Sequence, residues 1–118
     1  MHELGIAHSI LDIVLQKARD HNAEKIVSVD LAFGEKIGIV KESMEFIWDV
    51  ITQHTIAQGS RLNIRIIEVE AECQKCGNRF VVCSMYEPCP YCKSDEIAIV
   101  QGLNEMQVVS LDIDEGGK

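Results

Sequence analysis

From about Gly5 to Asp20, the apolar residues Ala7, Ile10, Leu11, Val14 and Ala18 recur at steps of three and four. Asp12, Gln16 and Arg19 fall between them. That period draws one apolar stripe along a cylinder and predicts an amphipathic helix. Asp20-His21-Asn22 is a plausible stop, with His21 near the negative end of the helix dipole. The pattern then changes to a period of two. In Lys25 to Phe33, Val27, Val29, Leu31 and Phe33 share one face, as in a half-buried strand. Gly34 closes this strand and Gly38 marks the following loop.

A second helix is expected from Lys41 to His54, carrying Met44, Phe46, Ile47, Trp48, Val50 and Ile51. Met44, Phe46 and Trp48 are read as core residues. Gly59-Ser60 breaks the pattern before a strand from Arg61 to about Ala71, where Leu62, Ile64 and Ile66 alternate with Asn63 and Arg65. A final strand starts near Glu105, with Val109, Leu111 and Ile113 on one face. The expected fold is α+β: two helices packed on a small mixed sheet, with an inserted zinc-ribbon-like module. The expected boundaries put an α/β domain at 1–70 and 99–118 and the inserted module at 71–98.

That module holds the most specific chemistry in the chain. Cys73-Gln74-Lys75-Cys76 and Cys89-Pro90-Tyr91-Cys92 are two C-x2-C pairs separated by twelve residues. Each pair brings two thiolates onto one tight turn, and two such turns can enclose one metal ion tetrahedrally. Gly77 supplies the backbone freedom needed just after the first pair. The bland alternative is four ordinary buried cysteines. Cys-Pro-Tyr-Cys is also a dithiol redox sequence, but that chemistry needs its first cysteine at a helix N-terminus. Here Lys93-Ser94-Asp95-Glu96 and Ile97 to Val100 read as a turn followed by a strand. Four thiolates suit iron as well as zinc, and zinc is favoured because nothing else points to electron transfer. A four-cysteine site has no open coordination position, so its role is structural. A module of about thirty residues buries too little surface to fold without its metal. The fifth cysteine, Cys83, lies in the strand-like run Phe80-Val81-Val82-Cys83 and reads as a small buried hydrophobe, with a spare zinc ligand as the alternative.

The chain has 118 residues, 47% of them hydrophobic, enough for a core without disulfides. Cysteine spacing of this kind fits a reducing compartment, and a cytoplasmic location is the default. No apolar stretch is long enough for a membrane span, and no basic leader precedes one. A net charge of −8 argues against nucleic-acid binding, which needs surplus Lys and Arg. No G-x-x-x-x-G-K-[ST] or G-x-G-x-x-G motif occurs, and no serine can be matched with a histidine and an aspartate. Nothing reads as an enzyme.

The terminus itself offers a second metal site. The amine of Met1, the backbone nitrogen of His2 and its imidazole can form fused chelate rings. A fourth donor could be the amide nitrogen or the carboxylate of Glu3. Nitrogen-rich square-planar ligation suits Ni(II) or Cu(II). The plain alternative is an exposed histidine on a mobile end. His8, His21 and His54 read as surface or capping residues.

Taken together, Met1-His2-Glu3, the Gly34-Glu35 turn, the four paired cysteines and Gly102-Leu103-Asn104-Glu105-Met106 make the chain resemble the HypA family of hydrogenase nickel-incorporation proteins. The resemblance covers nearly the full length. It implies a nickel metallochaperone with transported Ni(II) held by Met1, His2 and Glu3 in the α/β domain. A structural zinc ion would be held separately by Cys73, Cys76, Cys89 and Cys92. It also implies a HypB-type GTPase partner and delivery to the large subunit of [NiFe]-hydrogenase, with urease as a further recipient for some members. The chain would act as a monomer or homodimer. Some members carry histidines beside the cysteine pairs, where this chain has Asn78 and Lys93. Two alternatives come from the cysteines alone: a zinc-ribbon adaptor binding protein or nucleic acid, and a rubredoxin-like iron electron carrier.

Overall fold

A computed structural model describes residues 3–83 and 87–115. Two compact units divide the chain: residues 1–32, 39–65 and 107–118 in the first, and residues 33–38 and 66–106 in the second.

The first unit opens with α1 (Glu3–Asp20), which starts ahead of the expected Gly5. Its buried residues are Ala7, Ile10, Leu11, Val14 and Ala18, the five that form the apolar stripe. The helix ends because Asn22 takes a left-handed φ of 54°. The Ala23 N–H then reaches the Ala18 carbonyl at 2.9 Å, and the Asn22 N–H reaches that of Arg19 at 3.1 Å. This paired closure satisfies two carbonyls that the last turn would otherwise leave bare.

β1 (Lys25–Gly34) is the centre of a three-stranded sheet ordered β2-β1-β6, with β2 at Arg61–Ile67 and β6 at Met106–Asp114. The chain passes from β1 to β2 through α2 (Lys41–Ile51). β1 and β6 run antiparallel: the Glu24 N–H bonds the Asp114 carbonyl and the Gly34 N–H bonds that of Glu105. Val29, Leu31 and Phe33 are buried as expected, but Val27 is exposed and Ile26 is buried instead. The alternation therefore changes phase between Ile26 and Val29. On the opposite face, Asp30 accepts hydrogen bonds from Ser110 Oγ and, at 2.7 Å, from Asn63 Nδ2, tying the three strands together. Ser110 first and Asn63 second hold the Asp30 carboxyl below the usual range.

α2 is shorter than the expected Lys41 to His54. The Thr52 hydroxyl bonds the Trp48 carbonyl at 2.7 Å as the helix ends, and His54 takes a φ of 67° in the turns that follow. Met44 and Trp48, four apart, are its buried residues, while Phe46 is 70% exposed. Phe46 lies about 200° around the helix from Met44 at 100° per residue, so it cannot share the buried face. The Trp48 indole donates to Ser60 Oγ at 2.8 Å, and Ser60 donates to the Ala57 carbonyl.

The segment 61–71, read as one strand, is interrupted. β2 stops at Ile67, and β3 (Glu70–Cys73) belongs to another sheet, ordered β4-β3-β5, with β4 at Arg79–Val81 and β5 at Ile97–Gln101. Both neighbours pair with β3 antiparallel, setting Ala71 opposite Phe80 on one side and Ile99 on the other. Val69, Ala71 and Val82 form a small core that Phe80, Ile97 and Ile99 cover. The break coincides with a long-range contact: the Val69 N–H bonds the Glu35 carboxylate at 3.1 Å.

Gly34 and Gly102 meet in this second unit at backbone contact. A Cβ on Gly102 would lie 2.5 Å from the Val69 Cα, and one on Gly34 would lie 2.9 Å from the Gly102 carbonyl. The Glu105 carboxylate accepts the Gly102 N–H at 2.9 and 3.0 Å, and that bond holds its pKa below the usual range. The Lys36 N–H adds a bond to the Gly102 carbonyl at 2.9 Å. Gly102 also has a φ of 94°. Gly102→Ala is therefore expected to cost roughly 3 kcal/mol or more, combining a forbidden φ with a backbone clash. Chemical denaturation checks this, and an unchanged midpoint would contradict the close packing.

Candidate metal centre

The four paired cysteines converge. One ligand atom from each of Cys73, Cys76, Cys89 and Cys92 lies within 4.8 Å of all the others. The Cys73–Cys92 and Cys76–Cys89 sulfurs are 3.5 and 3.7 Å apart. A tetrahedron with zinc–sulfur bonds of about 2.3 Å has sulfur–sulfur edges of about 3.8 Å, so the cluster fits such an ion. Among the described residues, no other group of three or more His, Cys, Asp or Glu has this property.

Two turns of the same construction build the cluster. In the first, the Gly77 N–H bonds the Cys73 carbonyl at 3.0 Å and the Cys73 N–H bonds the Asn78 carbonyl at 2.9 Å. In the second, the Lys93 N–H bonds the Cys89 carbonyl at 2.9 Å and the Cys89 N–H bonds the Ser94 carbonyl at 2.8 Å. The residue after each pair adopts a left-handed φ, 77° at Gly77 and 68° at Lys93. Glycine does this freely, whereas lysine carries a steric penalty of about 1 kcal/mol. Lys93→Gly should therefore stabilise this unit by up to about 1 kcal/mol and slow zinc loss to a chelator severalfold. A faster loss would count against the turn geometry.

Backbone amides aim at the sulfurs. The Lys75 and Cys76 N–H groups point to Cys73 Sγ and the Tyr91 N–H to Cys89 Sγ, each at 3.4 Å. Such donors favour thiolate over thiol. The Cys76 N–H leads in lowering the Cys73 thiol to about 6, with Lys75 assisting against burial. Burial opposes ionisation of Cys89, but the Cys92 and Tyr91 amides outweigh it and its pKa is lowered. Cys92 goes the other way: the Ser94 amide favours its thiolate, but Cys73, burial and the other two sulfurs push it up to about 12. Four thiolates cannot share so small a space alone, and a divalent cation replaces their repulsion with attraction.

Asn78, where some relatives are expected to carry histidine, donates from Nδ2 to Cys76 Sγ at 3.3 Å. This contact was not legible in the sequence, because an amide two residues after a cysteine carries no motif. The dithiol redox reading also fails on geometry: Cys89 stands in a turn leading to β5, not at a helix N-terminus.

The family model for "Hydrogenase/urease nickel incorporation, metallochaperone, hypA" matches residues 1–113. The chain belongs to the HypA family. A hydrogenase maturation factor HypA of Pelodictyon phaeoclathratiforme is 39% identical, with both chains covered in full. That of Chlorobium limicola is 40% identical over 98% of this chain and 99% of the relative. A solution structure of the Ni metallochaperone HypA from Helicobacter pylori has a TM-score of 0.64 at 28% identity, covering 97% of this chain and 98% of that one. A second HypA solution structure reaches 0.72 at 27% identity and covers 98% of each chain.

Of the expected nickel ligands, Met1 and His2 lie outside the described residues. Glu3 begins α1 and its carboxylate accepts the Val40 N–H at 2.8 Å, just before α2. His8, His21 and His54 are all exposed. Cys83 is exposed and not buried as expected. β4 ends at Val81, and Cys83, Glu35, Lys36, Val69 and Val82 line a small recess.

Proposed function

We propose that this chain binds Ni(II) at its N-terminus and delivers it to the large subunit of [NiFe]-hydrogenase with a HypB-type GTPase. The four cysteines keep the second unit folded around zinc. The observation that carries this reading is the match to the family over residues 1–113, which spans both the terminal segment and the cysteines. Urease is a second recipient, and the cytoplasm, which keeps thiols reduced, is the place of action. The chain performs no catalysis: its task is to hold a cation and release it.

The terminal chelate uses the Met1 amine, the His2 imidazole and backbone nitrogens, with Glu3 completing the set. Glu3 heads α1, so its N–H is among those the helix leaves without an internal partner. Its carboxylate is engaged by Val40, which supports ligation through the amide nitrogen. The helix dipole disfavours a cation at this end, and deprotonated nitrogens and the Glu3 charge offset that cost. Amine and imidazole must lose protons to bind, so acid or competing ligands promote release. When bound, zinc supplies the cross-link among Cys73, Cys76, Cys89 and Cys92.

In cells lacking their own family member, this chain should restore [NiFe]-hydrogenase activity, and His2→Ala should not unless nickel is supplied in excess. Full activity with His2→Ala at limiting nickel would overturn the delivery role.

A further inference from the structure

β6 is an edge strand whose inner side pairs with β1. Its other side borders a groove of about 340 Å³, walled by Lys17 and His21 of the α1 end and by Val108 to Leu111 and Ile113 of β6. Because Ser110 shares a sheet face with Asp30, Val109, Leu111 and Ile113 project on the opposite face. Val109 is 54% exposed.

Edge strands are normally guarded by charged side chains (lysine above all), proline or cover. β2, the other edge, carries exposed Arg61 and Arg65. β6 reads Met-Gln-Val-Val-Ser-Leu-Asp-Ile-Asp from Met106 to Asp114, with no cation and no proline. Lys17 and His21 stand one helical turn apart beside the apolar row of this strand, whose own charges, Asp112 and Asp114, fall on the opposite face.

We propose that the groove takes an extended segment of another protein as an added strand, with apolar side chains against Val109 and an acidic one facing Lys17 and His21. Strand addition draws its affinity from main-chain hydrogen bonds and its choice of sequence from alternate side chains. A second copy of β6 fits less well. Antiparallel self-pairing about Ser110 sets Val109 and Gln107 opposite Leu111 and Ile113, so no carboxylate meets the two basic residues. Moving the two-fold to Asp112 sets like charges directly opposite.

The test uses the full-length zinc-loaded protein and the blocked peptide acetyl-Thr-Glu-Thr-Val-Thr-Val-Thr-amide, followed by amide NMR shifts and hydrogen exchange. The peptide should shift and protect β6 amides and perturb Lys17 and His21. Lysine in place of the peptide glutamate, or Lys17→Glu in the protein, should weaken binding about tenfold, and combining the two should restore it. N-methylating alternate peptide amides should abolish binding on one edge and spare it on the other. Three results would each overturn the proposal. One is equal affinity for the glutamate and lysine peptides, and another is tolerance of methylation on both edges. The third is β6 protection that rises with protein concentration alone, which would make a second copy the occupant.

Discussion

Cys73→Ala, and separately Cys92→Ala, should strip the zinc and unfold the second unit while leaving the first intact. Cys73 is the more severe change on local grounds. It is 1% exposed and takes the Lys75 and Cys76 amides, so truncation strands both donors as well as three thiolates. Structural zinc binds zinc-finger peptides with roughly 10–16 kcal/mol at neutral pH. That matches the whole stability of a typical domain, about 5–15 kcal/mol. The core of the second unit centres on only Val69, Ala71 and Val82, and this supports a fold that depends on the metal. The first unit keeps Ile10, Leu11, Val14, Ile26, Leu31, Met44 and Trp48 buried without reference to any cysteine. Circular dichroism should retain the helical band, and metal analysis should fall from one zinc per chain towards none. Loss of the helical band, or full zinc retention, would contradict this division of labour.

The parts of this fold that depend on one periodic stripe were legible in the sequence. α1 buried its five expected residues because a single helix face meets a single core. The cysteine cluster was legible because spacing in C-x2-C motifs nearly dictates the turn. Other features depend on partners that spacing does not reveal. The strand after Gly59 breaks where Val69 gives its N–H to Glu35, thirty-four residues earlier. Phe46 is apolar by type but faces outward because Met44 and Trp48 already define the buried side of α2. Lys93 holds a glycine-like φ because the second turn copies the first, and no composition rule marks it. Gly34 and Glu105 read in the sequence only as the end of one strand, the start of another and parts of a family resemblance. Their physical reason, close backbone packing around Gly102, needed three-dimensional contacts.

Calorimetric titration of Ni(II) into zinc-loaded protein reads the proposed ligation by the terminal residues without any partner or recipient enzyme. His2→Ala should abolish tight binding with zinc content and fold unchanged. A Gly-Ser extension before Met1 should weaken binding strongly, because it turns the chelating amine into an amide while keeping every side chain. Glu3→Gln preserves an oxygen to accept the Val40 N–H. It should therefore retain most affinity if Glu3 binds through its backbone nitrogen. Loss of affinity in Glu3→Gln alone would move that ligand to the carboxylate, and an unaffected extended form would remove only the amine. Unchanged nickel affinity in His2→Ala would contradict nickel ligation at the terminus.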